Sequence, residues 1–99
     1  MGKNIKTIDL RAFKNCSAVP EIDLSKCTQL KRLNYEIFYG CKNANVILPS
    51  SIEESAYSTR PFGNKGDENS LCKNVTVPNE AIKELVAKTG YPKDRIIVK

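Results

Sequence analysis

The sequence predicts an α/β-type repeat fold, a short solenoid of about two and a half coils with short strands, closed by a C-terminal helix and strand. Three observations predict it. The stretch IKTIDLRAFKNC (Ile5–Cys16) returns as LKRLNYEIFYGC (Leu30–Cys41). Ile5 falls on Leu30, Ile8 on Leu33, Ala12 on Ile37, Phe13 on Phe38 and Cys16 on Cys41, always at an offset of 25 residues. Short strand-like runs recur between the copies at Ile22-Asp23-Leu24, Val46-Ile47-Leu48 and Val75-Thr76-Val77, and the last two end in Pro49 and Pro78. Residues 79–99 then change pattern from strand to helix.

A fixed period between about 20 and 29 residues with apolar positions in phase marks a leucine-rich repeat. Each coil has an apolar inner face that it cannot bury alone, and stacking the next coil buries both. Taken in order, Ile5 and Ile8 open the first coil, and Phe13 and Cys16 turn its corner. Ile22-Asp23-Leu24 alternates as a half-buried strand does. Leu30, Leu33, Phe38 and Cys41 repeat the set, and the strand at Val46 ends at Pro49, where a lost N–H is tolerated at an edge. In the third copy Pro61-Phe62 takes the place of Ala12-Phe13. Before Cys72, however, the chain inserts a run rich in Gly, Asn, Asp and Ser, so residues 63–71 read as an exposed, protruding loop.

The closing unit has its own signals. Asn79 after Pro78 is an N-cap, and Ile82, Leu85 and Val86 form an apolar stripe at helical spacing. Gly90 and Pro92 stop the helix, and Glu80, Glu84 and Lys88 agree with its dipole. Arg95–Lys99 reads as a final strand. The expected organisation is one structural domain: coils over residues 1–78 and a helix-strand cap over 79–99.

Composition narrows the function. With 99 residues, 40% hydrophobic and 27% charged, the chain is an ordinary globular domain. No apolar run approaches the roughly 18 residues of a membrane span, so no membrane insertion is expected. The first residues, Met-Gly-Lys-Asn, have no signal-peptide apolar region. Met1-Gly2 reads as an addition to a piece of a longer chain that is secreted or displayed at the cell surface, with a cytoplasmic protein as the alternative. The net charge of +5 is spread among polar neighbours, whereas a nucleic-acid binder gathers Lys and Arg on one stripe. Lys31, Arg32, Tyr35, Tyr39 and Lys42 mix basic and aromatic residues as single-strand grooves do, but they also follow the outward positions of one coil.

No catalytic, cofactor-binding or metal-binding residue is expected. The chain has no His, its four cysteines lack zinc-knuckle spacing, and no nucleophile motif is present. Glu53-Glu54 and Asp67-Glu68 lack the spacing of a calcium loop. Cys16 and Cys41 hold equivalent corner positions and are expected buried and free, whereas Cys27 and Cys72 fall outside the shared phase. Phe13, Phe38 and Phe62 are expected as core anchors. Asn15-Cys16-Ser17 and Asn74-Val75-Thr76 have the form of glycosylation acceptors.

The order Ile5, Ile8, Ala12, Phe13, Cys16, Val19, Ile22, Leu24, with its second copy Leu30, Leu33, Phe38, Cys41, Leu48, Pro49, resembles the BspA-like leucine-rich repeats of bacterial surface proteins. The ending VPNEAIKELVAKTGYP is similar to the helix that often closes such arrays. The resemblance implies a non-catalytic solenoid for adhesion or protein binding at a cell surface, with a protein or glycan ligand.

In such a fold the outward strand residues form the binding surface. The candidates are Glu21, Asp23 and Ser25 in one coil, Asn45 and Ile47 in the next, and Asn74 and Thr76 in the third, with the 63–71 loop beside them. The alternative is a structural piece of a longer array. Its uncapped first coil at Ile5 and Ile8 would then self-associate, since open sheet edges pair with other chains.

Overall fold

The computed structural model describes residues 20–33, 38–55, 61–63 and 66–99. Strands β1 (Glu21–Asp23), β3 (Asn45–Ile47), β5 (Asn74–Val77) and β6 (Ile96–Val98) form a four-stranded sheet in the order β1-β3-β5-β6. Every neighbouring pair in it is parallel. Strands β2 (Arg32–Leu33) and β4 (Glu54–Ser55) form a second, two-stranded parallel sheet. Helix α1 (Glu80–Lys88) lies between β5 and β6 in the chain.

The strands are short, yet their ladder extends beyond the paired residues. The Leu24 amide donates to Ile47 O at 2.8 Å, Leu48 to Thr76 O at 2.9 Å and Lys99 to Val77 O at 2.9 Å. Ile22, Val46, Val75 and Ile96 stand in register across all four strands and all are buried. Two residues further along each strand, Leu24, Leu48 and Val77 are buried too, while Val98 on the edge strand β6 stays 40% exposed. Each fully buried aliphatic of this size contributes roughly 1.5–3 kcal/mol, so these two rows carry the sheet. The in-register partners lie 24 residues apart from Ile22 to Val46, 29 from Val46 to Val75 and 21 from Val75 to Ile96.

The corners are built from successive three-residue turns. Cys27 N–H donates to Leu24 O at 2.9 Å and Leu30 N–H to Cys27 O at 3.0 Å. The same pair of bonds links Phe38 to Cys41 (3.2 Å) and Cys41 to Ala44 (3.0 Å). Cys27 therefore holds the same kind of corner as Cys41, and Cys27, Cys41 and Cys72 are all buried thiols. Ser51 fastens the first corner from the following segment, its hydroxyl reaching Leu30 O at 2.5 Å. Cys16, Phe13 and the opening positions Ile5 and Ile8 lie outside the described residues.

Phe62 occupies the place expected of it. It stacks on Phe38, meets Tyr91 edge-on at 5.8 Å, and all three rings are buried. The backbone follows the same stacking: Phe38 N–H donates to Pro61 O at 2.8 Å and Gly40 N–H to Ser70 O at 2.7 Å.

The 63–71 segment departs from a uniformly exposed loop. Gly66 to Asn69 are exposed, but Gly63, Ser70 and Leu71 are buried. Asp67 caps a single 3-10 turn, Glu68–Ser70, by accepting from Asn69 N–H at 3.2 Å. That turn directs Leu71 and Cys72 back into the core, where the Cys72 thiol donates to Phe38 O at 3.4 Å. A cluster of turn formers thus ends in an apolar pair that the core recovers.

The helix begins as its sequence indicates. Asn79 Oδ1 accepts from Ile82 N–H at 2.9 Å, satisfying one of the orphan amides of the first turn. Ile82 and Val86 are buried in the common core, and Gly90 follows the helix with φ +93°.

Candidate functional site

The register brings the sequence candidates into two rows across the four-stranded sheet. Glu21, Asn45 and Asn74 are mutual partners in one row, and Asp23, Ile47 and Thr76 in the other. Alternation of the pleat places their side chains on the face opposite the Ile22–Val46–Val75 row. Their exposure falls along each row: Glu21 and Asp23 are exposed, Asn45, Ile47 and Asn74 half-buried, and Thr76 buried. Thr76 is buried, and its hydroxyl donates to Asn45 Oδ1 at 3.1 Å, tying one row to the other. Ser25 lies just beyond β1, and its amide donates to Asp23 Oδ1 at 2.9 Å. The Ser25 hydroxyl and that amide hold the Asp23 carboxyl below the usual carboxylate range, so this corner keeps its negative charge.

Two hollows adjoin these rows. One is a groove of about 320 Å³ with Asn45, Ile47, Thr76, Val77, Pro78 and Lys99 in its wall. The other, of about 480 Å³, has Lys42, Lys73, Arg95, Glu68 and Asn74 in its wall. Arg95 makes a hydrogen-bonded ion pair with Glu68, which favours the protonated guanidinium. The first hollow was legible as a row of strand residues. The second takes Glu68, Asn69 and Leu71 from the 63–71 segment expected beside the rows, together with Asn74. Lys73 and Arg95 were missed, although the sequence carries a signal for the lysines: the tripeptide Cys-Lys-Asn occurs at 41–43 and again at 72–74.

The basic-aromatic set does not assemble into one groove among the described residues. Lys31 is exposed near β2, Lys42 lines the charged hollow, and Tyr39 donates to Asp67 Oδ2 at 3.4 Å. Tyr35 lies outside the described residues. Among the described residues no group of Cys, Asp and Glu could hold a metal ion, and no helix is long and apolar enough to cross a membrane.

Short parallel strands in register, with buried cysteines in the connections from β1 to β3 and from β3 to β5, accord with a repeat fold. The family model described as BspA type leucine rich repeat region (6 copies) matches residues 1–83. The chain belongs to this family. Among curated proteins and solved structures, none matches it. BspA-type repeats typically occur in surface or secreted bacterial proteins and mediate protein interactions, and the repeat family is generally non-enzymatic. The match ends inside α1, so most of the closing helix and all of β6 lie beyond it.

Proposed function

We propose that this BspA-type chain is a non-catalytic interaction or adhesion module of a bacterial cell-surface or secreted protein. In this reading residues 1–78 form a short solenoid of about two and a half coils, capped by residues 79–99. A protein partner docks on the sheet face that carries Glu21, Asp23, Ser25, Asn45, Ile47, Asn74 and Thr76. The observation that carries the reading is the register Asp23–Ile47–Thr76 beside Glu21–Asn45–Asn74, which joins residues distant in sequence into one patch bordered by a groove. A face of this kind offers hydrogen-bonding and apolar positions at strand spacing, and no group on it is set up as a nucleophile or general base.

The test is a paired substitution that keeps the fold. Thr76 is buried and bonded, so the informative positions are Asp23 and Ile47, whose side chains are exposed and half-buried. Asp23→Lys with Ile47→Lys is expected to abolish capture of a purified surface-protein partner by immobilised protein while leaving the circular dichroism spectrum intact. Unchanged capture by the doubly substituted protein would remove this face from the function.

A further inference from the structure

The repeated tripeptide gives the charged hollow its character. In Cys41-Lys42-Asn43 and Cys72-Lys73-Asn74 each cysteine is buried and each lysine exposed. Both lysines line the same hollow of about 480 Å³, together with Arg95 and Glu68. Glu68 is engaged by Arg95, and among the described residues neither Lys42 nor Lys73 has a carboxylate partner. The hollow is therefore net positive, and two ammonium groups that repel each other in it are relieved by an anion.

Asn74 in the wall of this hollow and Asn45 in the wall of the groove are register partners on β5 and β3, so the two hollows adjoin across one strand pair. The Thr76 hydroxyl occupies Asn45 Oδ1, which leaves the Nδ2 donors for a ligand. Cations, an amide donor and then the apolar wall of Ile47 and Pro78 follow one another along the face, and the groove's wall carries both the Glu21 carboxylate and the Lys99 ammonium. Among the described residues no aromatic ring lines either hollow. Bases bind on aromatic stacking platforms, and sugar rings are commonly held on aromatic faces, so both are poor fits.

We infer that this face binds an acidic peptide segment of the partner. An Asp or Glu carboxylate lies between Lys42 and Lys73, and an apolar side chain rests in the groove against Ile47 and Pro78. The inference rests on the proposed function and names its ligand chemistry.

Fluorescence anisotropy tests it with three probes: a labelled peptide of repeated Glu-Ser-Leu, its Gln-Ser-Leu counterpart and a labelled heparin fragment. The acidic peptide is expected to bind about tenfold more tightly than its counterpart, and Lys42→Glu with Lys73→Glu is expected to remove about that factor. Added salt is expected to weaken the binding. Both lysines are exposed, so the fold survives, and Lys42→Gln with Lys73→Gln serves as a milder second variant. Equal binding of the two peptides, no peptide binding at millimolar concentration, or full retention by the charge-reversed protein overturns the inference. Binding of heparin without the peptide also overturns it and assigns the hollow to a sulfated glycan. A protein partner lost with Asp23→Lys and Ile47→Lys, yet held by the charge-reversed protein, leaves the proposed function standing and this inference fallen.

Discussion

Phe62 lies almost flat on Phe38, with ring centroids 5.6 Å apart and planes inclined by 11°. Two residues at equivalent places in successive repeats thus meet face over face, and Tyr91 closes the stack from the closing segment. The aromatic stack runs through the corner side of the core, as the Ile22–Val46–Val75–Ile96 row runs through the sheet side.

Removing the middle ring of that stack opens a cavity with aromatic walls on two sides. Phe62→Ala is expected to cost about 3–5 kcal/mol, a large part of the stability of a domain this size. Phe62→Leu, which keeps much of the volume, is expected to cost clearly less. Midpoints of urea unfolding read both, and a loss below about 1 kcal/mol for the alanine variant contradicts the packing described.

Alkaline pH acts on a neighbouring pair. Burial pushes the Cys72 thiol well above its ordinary 9.0, with Cys41 adding to the effect. Burial likewise pushes the Tyr91 phenol above its ordinary 10.0, with Cys72 second. The phenol donates to Cys72 O at 2.7 Å. Both groups stay neutral in the fold after they ionise in the unfolded chain, so the folded state then binds more protons. The contribution is complete below the unfolded values and declines as pH rises through 9 and then 10. Urea titrations are expected to show stability falling by up to about 1.4 kcal/mol per pH unit for each group. Tyr91→Phe is expected to flatten only the part above pH 10. A profile level across this range contradicts the burial of both groups.

Two glycines with positive φ separate backbone strain from crowding. A Cβ on Gly90 (φ +93°) meets nothing within 4 Å, so Gly90→Ala carries the left-handed penalty alone, about 1–2 kcal/mol. A Cβ on Gly63 (φ +105°) collides with the carbonyl group of Ser70 and comes within 2.8 Å of Leu71 Cα. Those atoms are backbone and cannot turn aside. Gly63→Ala is expected to destabilise severalfold more than Gly90→Ala, or to prevent folding. Similar melting temperatures for the two variants would show that the Gly63–Ser70 approach is not part of the native fold.

Much of the fold was legible because its determinants are local and periodic. Ile22 and Leu24, Val46 and Leu48, Val75 and Val77 alternate as strands, and Asn79 and Gly90 bracket the helix with residues whose chemistry suits those ends. The two-residue strands β2 and β4 were not legible, since two residues cannot display a period. The burial of Cys72 was hidden by the insertion before it: the direction of Leu71 depends on the 3-10 turn that Asp67 caps, not on an offset in sequence. Cys27 had a readable signal in Leu24-x-x-Cys27-x-x-Leu30, the three-residue spacing of its two turns. On the candidate face the rows followed from strand alternation. The bond from Thr76 to Asn45 crosses strands, so no single strand records it.

The intervals of 24, 29 and 21 residues between register partners leave the ladder continuous. Pairing therefore senses the strands and corners and is indifferent to how much chain travels between them. The longest interval holds its surplus at Gly66–Asn69, where Glu68 and Asn69 form part of the rim of the cationic hollow. Length polymorphism at this position would reshape the rim without repacking the interior. Under the proposed binding role, ligand preference diverges among relatives while their architecture stays the same, so affinity and stability evolve on separate clocks.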